Sequence, residues 1–186
     1  PGGSGGEPEA WTASWQTGGT PAVRNFPDGL LLGPVQPLSG LGSGWIYLQG
    51  ADLGANWAQS VYAPGTGGWQ AGTGAFAFED TPPPVSVGTV LADPAAAANP
   101  VCYFQKSFTF SGDPAKAVLS AEIVIDDGAV IYLNGHEIAR QNMPAGEVTA
   151  ATRATSAVGN AVSATVSLPV QHLLTGTNVL SVSLHE

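Results

Sequence analysis

The chain has 186 residues, 44% of them hydrophobic and only 10% charged, with 14 acidic residues against five lysines and arginines and a net charge of −9. That length suits one domain with a real core, and no apolar run is long enough to insert in a membrane. The five cations, Arg24, Lys106, Lys116, Arg140 and Arg153, form no basic stripe, which argues against nucleic acid and anionic membrane surfaces as partners.

Residues 1–9, PGGSGGEPE, have the composition of a flexible linker. Residues 10–44 carry Trp11, Trp15, Phe26, Leu30–Leu32 and Leu41 between glycines and prolines, an arm too apolar to trail freely. It is expected to pack along its own domain or against a neighbour. Aromatic-rich sequence follows: Trp45-Ile46-Tyr47, Trp57, Tyr62 and then Trp69 through Phe76. From Glu79 to Pro100 the run reads as a long loop with one short strand at Val85–Leu91 and a helical turn after Asp93-Pro94. Further strands are predicted near 102–110, 117–125, 129–133, 136–140, 146–154, 161–168 and 178–185, separated by turn residues. With 25 glycines, 15 prolines and many short strands, the profile is that of an all-β sandwich or jelly roll. Ile123, Ile125, Phe108, Tyr132, Leu133 and Leu180 are its expected core.

The most informative stretch is Asp126-Asp127-Gly128-Ala-Val-Ile-Tyr-Leu-Asn134-Gly135, followed by His136-Glu137-Ile138-Ala139-Arg140 and Asn142-Met143-Pro144. The alternation through Tyr132 is that of a strand, and Asn-Gly supplies the positive φ angles of a two-residue hairpin turn. This run resembles a motif of secreted bacterial accessory modules with the galactose-binding-like, jelly-roll fold. Such modules stand beside spore-coat-type kinases, lamin-tail domains, metallophosphoesterases and glycan-active enzymes. The resemblance extends to Trp45 through Phe76, to Tyr103–Phe108 and to Leu174–Leu180 with His185, so it covers roughly residues 45–186. It implies an antiparallel β-sandwich after an irregular arm (residues 1–44), an extracellular location, and a non-catalytic ligand-binding role, most plausibly for carbohydrate. The parent polypeptide would supply other activities. In the family one further strand usually follows the segment ending at His185; here either that strand has been cut away or the sandwich has an open edge, through which neighbouring copies could join by strand or arm exchange.

Catalytic patterns are weak. Gly2-Gly3-Ser4-Gly5-Gly6 matches G-x-S-x-G without the flanking strand and helix of a nucleophile elbow. His136-Glu137 begins H-E-x-x-H, but Arg140 stands where the second histidine is needed. His136, His172 and His185 lack metal-ligand spacing, and each is read as a surface or strand-end residue. The single cysteine, Cys102, is read as a buried apolar residue. For Asp126 and Asp127 two readings stand: fixing a turn by accepting backbone N–H bonds, favoured about two to one, or holding a structural Ca²⁺ with Glu186 as a further ligand. Trp45 and Trp69 are expected in the core or as loop anchors. Trp15, Trp57 and Tyr62, in polar and glycine-rich surroundings, are the candidates for an exposed platform on which sugar rings stack.

Overall fold

A computed structural model of the chain describes residues 37–40, 42–78, 85–159 and 162–186. Leu38–Glu186 form one compact unit. Residues 1–36 of the arm, Trp15 among them, lie outside the described residues.

Among its described residues the unit has ten strands: β1 (Gly44–Gln49), β2 (Gln70–Thr73), β3 (Phe76–Ala77), β4 (Thr89–Val90), β5 (Val101–Phe110), β6 (Leu119–Ile125), β7 (Gly128–Leu133), β8 (His136–Gln141), β9 (Val162–Leu168) and β10 (Gly176–His185). Six of them form one antiparallel sheet in the order β2-β1-β5-β10-β7-β8. β6 and β9 form a second antiparallel layer, and β3 pairs with β4 in a two-residue parallel bridge. The all-β antiparallel sandwich is therefore the architecture observed.

Alternation along β5 and β10 sorts the side chains between two faces. One face carries Val101, Tyr103 and Gln105, opposite His185, Ser183 and Ser181 respectively. It is covered by the segment between β1 and β2, whose Trp57 and Trp69 pack with Leu48, Val101, Tyr103 and Ala150. The other face carries Phe108, Leu180, Val182, Ile131 and Leu133, which pack against Leu119, Ile123 and Leu168 of the β6–β9 layer. Leu133 is fully buried, whereas Ile123, Ile125, Phe108, Tyr132 and Leu180 are half-buried.

The hairpin forms where the Asn-Gly pair predicts it. Asn134 and Gly135 have φ of 50° and 82°, and β7 pairs with β8 around them through one bulge at Ile131/Tyr132. Asn134 does more than turn. Its Nδ2 donates to the His172 carbonyl (2.7 Å) and to Asn178 Oδ1 (2.9 Å), while its Oδ1 accepts from Val179 N (2.8 Å). Asn178, fully buried, donates onward to the carbonyls of Leu174 and Gly176. These two amides tie the β9–β10 loop to the hairpin.

Three expectations change. The predicted strand at 146–154 is instead a turn, in which Thr149 N donates to Thr152 Oγ1 (2.8 Å) and Thr152 N to the Thr149 carbonyl (3.0 Å). Short threonine side chains that satisfy nearby backbone groups compete with a sheet ladder. The strand predicted at Val85–Leu91 contracts to Thr89–Val90. The open edge is not at β10: among the described residues it is hydrogen-bonded on both sides, by β5 and β7, and the edges of the large sheet are β2 and β8.

Candidate ligand groove

The crossing from β1 to β2 builds a wall over the first sheet face. A single 3₁₀ turn at Trp57–Gln59 drives the Trp57 indole inward, 4.6 Å from the Tyr103 ring and 5.6 Å, edge-on, from Tyr132. At 5% exposure Trp57 is a core residue, which corrects its assignment to an exposed platform. Its polar sequence neighbours do not decide its burial; the aromatic strands beneath it do. Trp69, at 2% exposure, closes the same crossing, and Tyr62 lies on it with ring centroids 4.5 Å apart and planes at 21°.

Tyr62 is held at three points. Its ring rests on Trp69, its hydroxyl donates to the Trp57 carbonyl (3.1 Å), and its backbone N–H donates to Gln105 Oε1 (2.9 Å). Gln105, 2% exposed on the central part of β5, also donates from Nε2 to the Ser60 carbonyl (2.8 Å) and to Ser181 Oγ (3.1 Å). One buried amide thus grips both sides of Val61, which is left 71% exposed.

Beside this wall runs a groove of about 620 Å³ along β2, β1 and β5. Register places Ile46, Ala71 and Gln105 side by side on this face, and alternation adds Thr73 and Ser107. With Val61 and Tyr62 they give an apolar wall and floor edged by hydroxyl groups. Trp45 and Lys106 also border the groove, but alternation turns their side chains to the opposite face. There the Lys106 ammonium sits 5.4 Å from the Trp45 ring centroid and donates to Ser39 Oγ (3.2 Å). Desolvation holds the Lys106 pKa below its ordinary value. Among the described residues the groove lining includes no carboxylate, imidazole or thiol, so it offers neither a general acid–base pair nor a nucleophile of those types.

The remaining candidates fall elsewhere. Asp127 Oδ1 accepts from Val158 N, and the Asp127 carbonyl accepts from Asn142 Nδ2 (3.0 Å), which is the turn-fixing arrangement. His185 is opposite Gly128 in the β10–β7 ladder, so Glu186 leaves the sheet at the same end as Asp126 and Asp127. Among the described residues, however, no three histidine, cysteine, aspartate or glutamate side chains are grouped as a metal ion requires. Cys102 is buried on the second face, and burial, with Glu186 adding to it, pushes its thiol pKa far up, as expected of an inert core residue.

Of the histidines read as surface or strand-end residues, His136 is exposed at the start of β8 and His185 ends β10, but His185 is buried rather than at the surface. His136 and His172, 36 residues apart in the chain, stack with ring centroids 3.9 Å apart and planes at 7°, brought together by the Asn134 tether. His185 is buried at 1% exposure, with Nδ1 at 2.8 Å from the Thr152 carbonyl and no partner at Nε2. That contact assigns the proton to Nδ1, and desolvation holds the ring's pKa below its ordinary value, partly offset by the carbonyl.

No family model matches the chain, and no curated protein matches it. Among solved structures it is similar to part of a β-glucuronidase from an uncultured Clostridium species, at 16% identity and a TM-score of 0.46, covering 83% of this chain and 24% of the enzyme. It is also similar to part of a β-D-mannosidase from Dictyoglomus thermophilum, at 15% identity and a TM-score of 0.42, covering 81% of this chain and 16% of that one. A β-glucuronidase from Faecalibacterium prausnitzii gives 17% identity and a TM-score of 0.40, covering 83% of this chain and 22% of the enzyme. This chain therefore spans about a quarter or less of the length of those enzymes.

Proposed function

We propose that the chain is a non-catalytic carbohydrate-binding module that works outside the cell, attached to or alongside a larger protein. The observation that carries this reading is the groove on the β2-β1-β5 face. Sugars present C–H surfaces and hydroxyls together, and suitable sites combine apolar or aromatic surface with a few polar groups. Val61, Tyr62, Ile46 and Ala71 supply the first, Thr73 and Ser107 the second. The three-point fixing of Tyr62 means that little ordering remains to be done when a ligand arrives. The deciding experiment is a glycan array followed by titration calorimetry on the best ligand, with Tyr62→Ala and Ser107→Ala beside the parent chain. Each substitution is expected to weaken binding about tenfold, or ~1.4 kcal/mol. An array without binding, or binding indifferent to both substitutions, sinks the reading.

A second reading, a building block of an extracellular assembly, has one observation in its favour. β6 and β9 pair only with each other among the described residues, and each presents a further edge to which another strand could add. Light scattering decides it: a concentration-dependent oligomer is its signature.

A further inference from the structure

We infer that the groove takes an electrically neutral glycan, such as a chain of neutral hexoses or pentoses, and discriminates against uronic-acid and sulfated polysaccharides. This rests on the carbohydrate-binding reading and adds the ligand class. The groove side chains are apolar or hydroxyl-bearing: Ile46, Val61, Tyr62, Ala71, Thr73 and Ser107. Among the described residues the one ionic residue on the rim is Lys106, and its charge is committed to the far side of the sheet, over Trp45 and against Ser39 Oγ. Gln105 is also spent, with its amide oxygen on Tyr62 N and its amide nitrogen on Ser60 and Ser181. A bound carboxylate or sulfate would leave water for a surface on which the described residues place no cation to pair with it, a desolvation cost that the described lining does not offset.

The field of the whole chain acts in the same direction. With 14 acids against five bases the net charge of −9 repels a polyanion over a distance of about 8–10 Å at ordinary salt. Of the other three cations among the described residues, Lys116 pairs with Asp113 at 3.6 Å and Arg140 with Glu137 at 2.8 Å, and the exposed Arg153 is not part of the groove lining. A neutral chain meets none of this repulsion. Its affinity comes from apolar contact with Val61 and Tyr62 and from hydroxyl exchange, neither of which salt screens.

The test is affinity electrophoresis and calorimetry with neutral polysaccharides (β-glucan, galactomannan, xylan) set against polygalacturonate and heparin, at low and high sodium chloride. The expected result is binding to at least one neutral polymer, on the order of tenfold or more tighter than to either polyanion and unchanged by salt. Val61→Asp, a change at an exposed position, is expected to preserve folding, which circular dichroism checks. It is expected to leave polyanion binding negligible. Val61→Lys is expected to raise polyanion binding in a salt-sensitive way. Tight, salt-sensitive binding to polygalacturonate or heparin by the parent chain overturns the neutral-ligand inference while leaving the carbohydrate reading intact. Binding neither to any of the five polymers nor to any other glycan overturns the carbohydrate reading itself.

Discussion

Replacing Gln105 by leucine tests how the wall of the groove is held. The side chains are close in volume, so Gln105→Leu removes hydrogen bonds without opening a large cavity. Three are lost, to Tyr62 N at 2.9 Å, the Ser60 carbonyl at 2.8 Å and Ser181 Oγ at 3.1 Å. At ~1 kcal/mol net for each the loss is about 3 kcal/mol, and a partner stranded in the buried site adds to it. Gln105→Glu sharpens the argument. It keeps an acceptor for Tyr62 N but sets a buried carboxylate against the Ser60 carbonyl, so at pH 7 it is the less stable of the two variants. Burial raises the pKa of the introduced carboxyl above that of the unfolded chain, ~4.3. The folded state then holds its proton more tightly, so the variant is least compromised below that pH and loses stability as pH rises through the folded value. Urea denaturation followed by tryptophan fluorescence, repeated from pH 4 to pH 8, measures both effects. If Gln105→Leu stays within ~0.5 kcal/mol of the parent, the ordinary range of surface substitutions, the amide does not hold the wall and the reasoning fails.

His185 has its pKa lowered by burial, so its stabilisation is complete above the unfolded value, ~6.5, and is lost as pH falls below it; the urea midpoint should drop between pH 7.5 and 5.5, and less so in His185→Gln. Asp127→Asn should cost about 1–3 kcal/mol by weakening the bond from Val158 N, equally in calcium and in EDTA; a melting temperature of the parent chain that falls with EDTA would restore the Ca²⁺ reading. Gly135→Ala should lower stability by about 1–2 kcal/mol in thermal denaturation, because φ is +82° and the added Cβ would approach Gln59 Cα to 3.1 Å; no change would mean that the hairpin moves freely away from the wall.

What could be read from sequence was local. Asn134-Gly135 fixes its own turn through backbone preference, and the alternation through Val130 and Leu133 states which residues share a face, so the hairpin and the sandwich were legible. The groove was not. Tyr62 gets its position from Gln105, 43 residues away, and from Trp69, and nothing near Tyr62 in the chain announces either contact. Trp57 was misjudged for the same reason: its neighbours are polar, but Tyr103 and Tyr132 arrive from distant strands to bury it. The turn at Thr149–Thr152 shows the reverse case, where alternation resembled a strand while two threonine hydroxyls offered the backbone a local alternative.

The central place of β10 sets an order of events for synthesis. β5 and β7 lie on either side of residues 176–185 and are joined only through them. Until that segment emerges from the ribosome, β2, β1 and β5 can make one partial sheet and β7 with β8 another, each with an unsatisfied inner edge. The floor of the groove belongs to the first piece. Gln105, however, lacks Ser181 until the two pieces are joined, so the wall is completed only with the sheet. A chain so arranged is expected to fold slowly, through contacts distant in sequence, and to be most prone to wrong pairing just before β10 is delivered.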